Sequence, residues 1–252
     1  MTIEPTTQTP RSATRPFVSG KPWGGDFRLS RVPAMIYADL RAQIMSLERR
    51  PGEPILEGRI ASAYGVSRTP VREAVLKLAD EGLIEIFPQS GTFAARIPLA
   101  ALPEAIVIRK ALEETSVRFA AQRASRSQVV AISAIVERQR EAEFAGDREA
   151  FHSADESFHA AIADAGGYPG IWKLVQQVKA HVDRYRRLTL PQEGRMARVI
   201  GEHAAIWTAI EAGDARAAVL AMAVHLDGLV ADIPDIRRLN PEYFAEAKST
   251  FV

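Results

Sequence analysis

Between Pro54 and Leu83 apolar residues recur every three or four positions on either side of Gly65, which leaves the segment one arrangement: helix, tight turn, helix. Gly65 supplies the backbone freedom for the turn. Ser67 is placed to cap the second helix, and Pro70 falls in its first turn, where a missing N–H removes no hydrogen bond. Val71, Ala74, Val75 and Leu78 share one apolar face, so Arg68, Thr69, Arg72 and Lys77 fall on the other. Gly82 ends the helix, and two strand-like runs, 83–87 and 92–96, flank Pro88-Gln-Ser-Gly91 as a strand–turn–strand wing.

A helix with polar early residues fits a major groove, where only its first turns reach base edges. Arginine can take guanine bidentately, while the hydroxyls of Ser67 and Thr69 and the amides of the helix start can hold phosphates. The plainer reading of Arg68 and Arg72 is a solvated helix face, and their context argues against it. Gly-Val-Ser-Arg-Thr-Pro-Val-Arg-Glu-Ala from Gly65, followed by a helix-ending glycine and a wing, resembles the winged helix-turn-helix of GntR-type bacterial transcription regulators over residues 34–96. The resemblance implies operator binding by Ser67, Arg68, Thr69 and Arg72, with Gly91 at the wing tip. Where some relatives place a DNA-contacting arginine early in the second helix, this chain has Gly58, with Arg59 beside it as the candidate substitute.

The rest of the chain divides by composition. Residues 1–31 are rich in Thr, Pro, Ser and Gly without apolar periodicity and are expected to form a tail. The winged domain takes 32–96 and a proline-bracketed linker 97–103. From 104 to 235 apolar residues recur at helical spacing with no strand pattern, and a polar tail follows at 236–252. Ser125 or Ser127, Asp147, Gly166-Gly167, Pro169 and Gly213-Asp214 mark starts and stops. The expected fold is therefore mainly α: a winged helix-turn-helix with a small β wing, then an all-α bundle of six or seven helices.

With no cysteine, the chain has no disulfides, thiolate metal sites or thiol nucleophile. No segment approaches the ~20 apolar residues of a membrane helix and no secretory leader is evident, so the cytoplasm is the expected compartment and no membrane partner is expected. Net charge is +1, but basic residues outnumber acidic ones up to Arg96 and the reverse holds beyond it. A polyanion partner is thus sought at the N-terminal part.

Four side chains stand out in the second domain. Asp155 and His159 lie four apart on one helix face, and His203 and His225 interrupt apolar faces of the last two long helices, where an unpaired imidazole is costly to bury. Each alone reads as a surface pair or a hydrogen-bonded core histidine. Together the Asp-x-x-x-His helix, the helix starting Gly201-Glu-His and the closing Met-x-x-His-Leu resemble the FCD ligand-binding domain of FadR-type GntR regulators over about 103–233. The resemblance implies that Asp155, His159, His203 and His225 bind a divalent transition metal, zinc or else nickel, manganese or iron.

Upstream, Ile108-Arg-Lys-Ala-Leu-Glu113 resembles the Arg-x-x-Leu-Glu signature of that domain's first helix. Arg109 and Glu113 form either a helix-surface salt bridge or an effector site in which Arg109 forks a carboxylate. Arg184, in the run Arg184-Tyr-Arg-Arg187, is a further anion candidate; His152 is assigned to the core or to a supporting role, and Trp172 and Trp207 to bundle packing.

The expectation is a non-enzymatic homodimeric regulator, a repressor, on a palindromic double-stranded operator, released by a small carboxylate bound at the metal. Activation in place of repression stays open, as do three rivals: a metal that is structural or itself the signal; a metal-dependent hydrolase, for which the sequence lacks a general base set as in His-Glu-x-x-His; and a winged domain that binds only protein, against which Arg68 and Arg72 argue.

Overall fold

A computed structural model describes residues 31–231, 237–238 and 240–245. The expected N-terminal tail lies outside them, apart from Arg31.

The N-terminal part contains α1 (Val32–Met45), α2 (Glu57–Tyr64), α3 (Arg68–Asp80), β1 (Ile84–Phe87) and β2 (Gly91–Ala94). Ile36, Leu40 and Ile44 sit four apart on α1 and are buried against the predicted α3 face of Val71, Ala74, Val75 and Leu78. Gly65 adopts the left-handed conformation at φ 64°, which closes α2 and turns the chain into α3. Ser67 holds the N-cap position, but its hydroxyl makes no capping bond and is exposed. β1 and β2 pair antiparallel from Ile84↔Ala94 to Phe87↔Gly91.

The second part is a bundle of α4 (Leu102–Arg123), α5 (Arg126–Phe144), α6 (Arg148–Ala165), α7 (Pro169–Val178), α8 (Ala180–Thr189), α9 (Arg195–Glu211) and α10 (Ala215–Ala231). Local chemistry sets its boundaries. Ser125 and Gln128 form a reciprocal capping box on α5, while Asp147 accepts from the amides of Glu149 and Ala150, and Asp214 from those of Arg216 and Ala217. α10 packs on α4 and α9, and α5 on α6 and α9, so α6, α9 and α10 face a common interior. No described helix is long and apolar enough to cross a membrane.

Two segments differ from expectation. The linker is packed rather than loose, because Ile97 and Leu102 are buried apolar side chains and a short 3-10 turn at Leu99–Ala101 leads directly into α4. The tail expected after residue 235 is also partly structured. Ile97 N–H donates to the Tyr243 carbonyl at 2.9 Å, Ala245 N–H to the Ile97 carbonyl at 3.0 Å, and Phe244 enters the bundle core. The polarity of the segment as a whole concealed this one apolar anchor.

The two parts meet at α8. Ala180 belongs to the winged domain's core cluster, and Arg184 Nη2 donates to the Ala95 carbonyl just beyond β2. Gly82, at φ +70°, faces α8, and a Cβ there would come within 3.3 Å of His181 Nε2, a tight contact to which the ring would have to yield. Burial and the nearby Arg184 charge push the His181 imidazole down to about 4. An unperturbed imidazole titrates at 6.5, so between pH 6.5 and 4 the unfolded chain binds the extra proton and native stability falls as pH falls. The loss from this one group is up to about 3 kcal/mol. The thermal midpoint of the wild type is therefore expected to drop more steeply from pH 6.5 to 4 than that of His181→Gln; parallel curves would show that His181 is not buried as a neutral group.

Candidate metal centre and nucleic-acid interface

Asp155 and His159 lie one turn apart on α6, His203 on α9 and His225 on α10, and all four are buried. The ligand atoms of the three histidines lie within 4.8 Å of one another. Asp155 joins the group at its edge, with Oδ1 3.7 Å from His203 Nε2 and Oδ2 4.0 Å from His159 Nε2. The four residues singled out from three separate stretches of sequence therefore meet at one interior point.

Their outward partners determine what that point can do. His225 Nδ1 is 2.7 Å from Glu202 Oε2, and His203 Nδ1 is 2.9 Å from Gln139 Oε1. A carboxylate oxygen and an amide oxygen only accept, so each Nδ1 donates its proton and each Nε2 carries a lone pair. Those two Nε2 atoms face each other at 3.3 Å. Two lone pairs at that distance repel unless a cation or a proton lies between them, and oriented imidazoles of this kind fit a metal site. Burial, reinforced by the other histidines, keeps His203 and His225 well below the ordinary imidazole range and so in the neutral form that ligates. Phe158 stacks on His203 at 4.0 Å between centroids, and Trp172 faces His159 at 5.8 Å.

Asp155 is held by a different group. Arg186 Nη1 and Nη2 donate to its two oxygens at 2.6 and 2.5 Å, a bidentate pair. Burial alone would raise the Asp155 carboxyl, but Arg186 holds it well below the usual range.

Arg109 and Glu113 are both buried on α4, which excludes the surface reading of their i,i+4 spacing. Arg109 Nε donates to Glu113 Oε1 at 2.6 Å, while Arg109 Nη1 finds no hydrogen-bond partner among the described residues. Glu113 Oε2 lies 2.5 Å from His159 Nδ1, a close contact off the line of a hydrogen bond. Burial would raise the Glu113 carboxyl, but Arg109 and His159 hold it low. Beside these groups Glu113, Ser116, His159, Trp172, Val175 and Met222 enclose a crevice with no room for a water molecule.

Arg184 is not among these groups. Its guanidinium is buried at the domain joint on the Ala95 carbonyl, and burial lowers its pKa to about 10. Residues 184 and 186 are two apart, roughly 200° around a helix, so when one faces the histidine cluster the other faces away. Arg186 was concealed in a charge run that reads as a solvated face. Gln139 carried no sequence signal, and Glu202 was visible only as the neighbour of His203.

On the other domain, Ser67, Arg68, Thr69 and Arg72 are exposed on the first turns of α3, and Gly91 is exposed at the wing tip. Arg59, Arg68, Ser90, Gly91 and Thr92 line one groove between α2, α3 and the wing. Gly58 lies against the tip of Arg68, where a Cβ would come within 3.2 Å of Nη2, a contact that a small shift of this exposed guanidinium relieves.

Residues 33–94 match the family of bacterial regulatory proteins, gntR family, and residues 104–228 match the FCD domain. The chain is 35% identical over 215 residues to an HTH-type transcriptional regulator in an unstable DNA locus of Streptomyces ambofaciens, covering 85% of this chain and 90% of that one. It is 31% identical to the HTH-type transcriptional repressor RspR of Escherichia coli, covering 85% and 94%. The fold is shared with a crystal structure of a GntR transcriptional regulator from Rhodococcus, at a TM-score of 0.70 and 24% identity, covering 82% of this chain and 98% of that one. Groove-lining arginines on a winged helix and a histidine cluster within an FCD bundle are thus parts of one molecule, a DNA-binding transcriptional regulator of the GntR family and not an enzyme.

Proposed function

We propose that this chain is a FadR-type repressor whose operator affinity is set by a small organic acid bound at a metal in the FCD domain. The observation that carries the reading is the inward-facing histidine cluster with its Nδ1 protons committed to Glu202 and Gln139, beside an Arg109 whose Nη1 has no described partner. A divalent ion bound there, zinc or else nickel, manganese or iron, would supply a coordination position for one carboxylate oxygen. Arg109 is placed to fork the acid's carboxylate, and Glu113 orients Arg109. RspR is named a repressor, which favours that sign of control.

The crevice admits not even a water molecule, whereas ligand pockets begin at roughly 300 Å³, so an acid enters only if a wall moves. Trp172 and Val175 belong to α7, which runs through Lys179 into α8, the helix against the winged domain. Displacement of α7 by the acid would therefore reach the DNA-reading helices, with a coupling of order 1–3 kcal/mol, or 5–150-fold in operator affinity. Two copies on inverted half-sites match the two-fold symmetry of a palindromic operator, and cytoplasmic location follows from that target. The closed crevice also favours a second reading, in which the metal is structural or is itself the signal.

Two measurements test this. In fluorescence anisotropy with operator DNA, Arg72→Ala is expected to weaken binding by about 10–100-fold, and wild-type affinity should fall steeply with salt; α3 packing is untouched because Arg72 is exposed. Unchanged affinity in Arg72→Ala would remove α3 from recognition. In calorimetric titrations with small mono- and dicarboxylates, binding is expected in metal-loaded protein and lost after chelation or in Arg109→Gln. Acid binding that survives both would refute the site, while an operator affinity that responds to metal and to no acid would favour the second reading.

A further inference from the structure

We propose that Arg186 is a positioning residue that competes with the metal for Asp155 and transfers to Asp183 when the metal binds. The inference rests on the metal reading above and adds a residue to it. Arg186 occupies both oxygens of Asp155, at 2.6 and 2.5 Å, so a metal that draws on this carboxylate must displace at least one of those bonds. A buried guanidinium donor released from its acceptor needs another, because leaving it unpaired is costly.

One acceptor is in place. Asp183 is 3% exposed, and its Oδ1 has no hydrogen-bond partner among the described residues. It precedes Arg186 by three residues on α8, a spacing that puts two side chains on one helix face. Its second oxygen accepts from Lys179, which also donates to Glu156 at 2.6 Å. The charges of Asp183 and Glu156 both act on Arg186, next after that of Asp155. Arg186 is therefore near two carboxylates, and of these Asp183 has a buried oxygen with no hydrogen-bond partner among the described residues.

The second position is at the domain joint. Asp183, Glu156, Lys179 and His152 line a cleft whose opposite wall is Tyr37 and Arg41 of α1. Transfer of Arg186 would make the Asp183 group more positive beside α1, and the same helix carries Ala180 and Arg184 into contact with the winged domain. Metal loading would thus be read at the joint through one guanidinium.

The test is titration of chelator-stripped, full-length protein with zinc in a competition calorimeter. Arg186→Met removes the competitor and is expected to bind zinc about tenfold tighter than wild type, whereas loss of a merely structural arginine would weaken binding. Asp183→Asn, which keeps shape but removes charge from the receiving acceptor, is expected to bind about tenfold more weakly. It also keeps the test available should Arg186→Met fail to fold without metal. Amide exchange supplies the second readout: zinc should alter protection in α8 and α1 of wild type, and not in Asp183→Asn. If wild type binds zinc while Arg186→Met binds no tighter, or Asp183→Asn is unchanged, the transfer is overturned and the metal centre stands. If wild type takes up no zinc, both fall.

Discussion

Two imidazole nitrogens, each forced to present a lone pair, face each other at 3.3 Å inside the bundle. The rest of the second domain is organised around that constraint. Neither ring can turn over without breaking a buried hydrogen bond, to Gln139 of α5 for His203 and to Glu202 of α9 for His225. α9 and α10 contribute the rings, α6 the third ring and the carboxylate, and α5 an outward support. Ridge-into-groove packing alone does not require four helices to agree on one point; a shared polar centre does, because every one of its groups is costly to bury without partners.

That centre connects to the DNA-reading part through α8. On its inner face Arg186 grips Asp155, and on another face Arg184 holds the carbonyl of Ala95 where the wing ends. Ala180 fills the winged domain's core and His181 lies against Gly82 at the end of α3. A short helix with buried charges on opposite sides is a poor element for stability alone, since burying each charge is costly. Under the proposed control, such a helix would carry a displacement of the Arg186–Asp155 pair toward the winged domain.

The winged domain was legible because its signals are local. Gly65, the face of Val71, Ala74, Val75 and Leu78, and the turn before Gly91 each act within a few residues, and each holds in the structure. Helix caps at Ser125, Asp147 and Asp214 are of the same kind. His203 and His225 stood out as interruptions of apolar faces and His159 as the i,i+4 partner of Asp155, and only the FCD resemblance grouped them. Phe244 and the buried ends of 97–103 were missed, because single apolar residues in polar or proline-marked segments gain meaning only from the surface they cover.

Arg184 and Arg186 show the division most clearly. Periodicity determines that they project from different sides of one helix, and composition determines that both are charged. Nothing in the run Arg184-Tyr-Arg-Arg187 says that both sides are buried, since that depends on where α6 and the winged domain lie in space. The sequence by itself determined the turn at Gly65, the apolar face of α3 and the helix starts at Ser125, Asp147 and Asp214, because these follow from short-range backbone and periodicity rules, while the grouping of Asp155, His159, His203 and His225 came from resemblance to the FCD domain. Tertiary structure alone decided which oxygens meet His203 and His225, that Asp155 is gripped by Arg186, and that α8 joins the parts, because those contacts span about 20 to 90 residues of chain and arise only from packing.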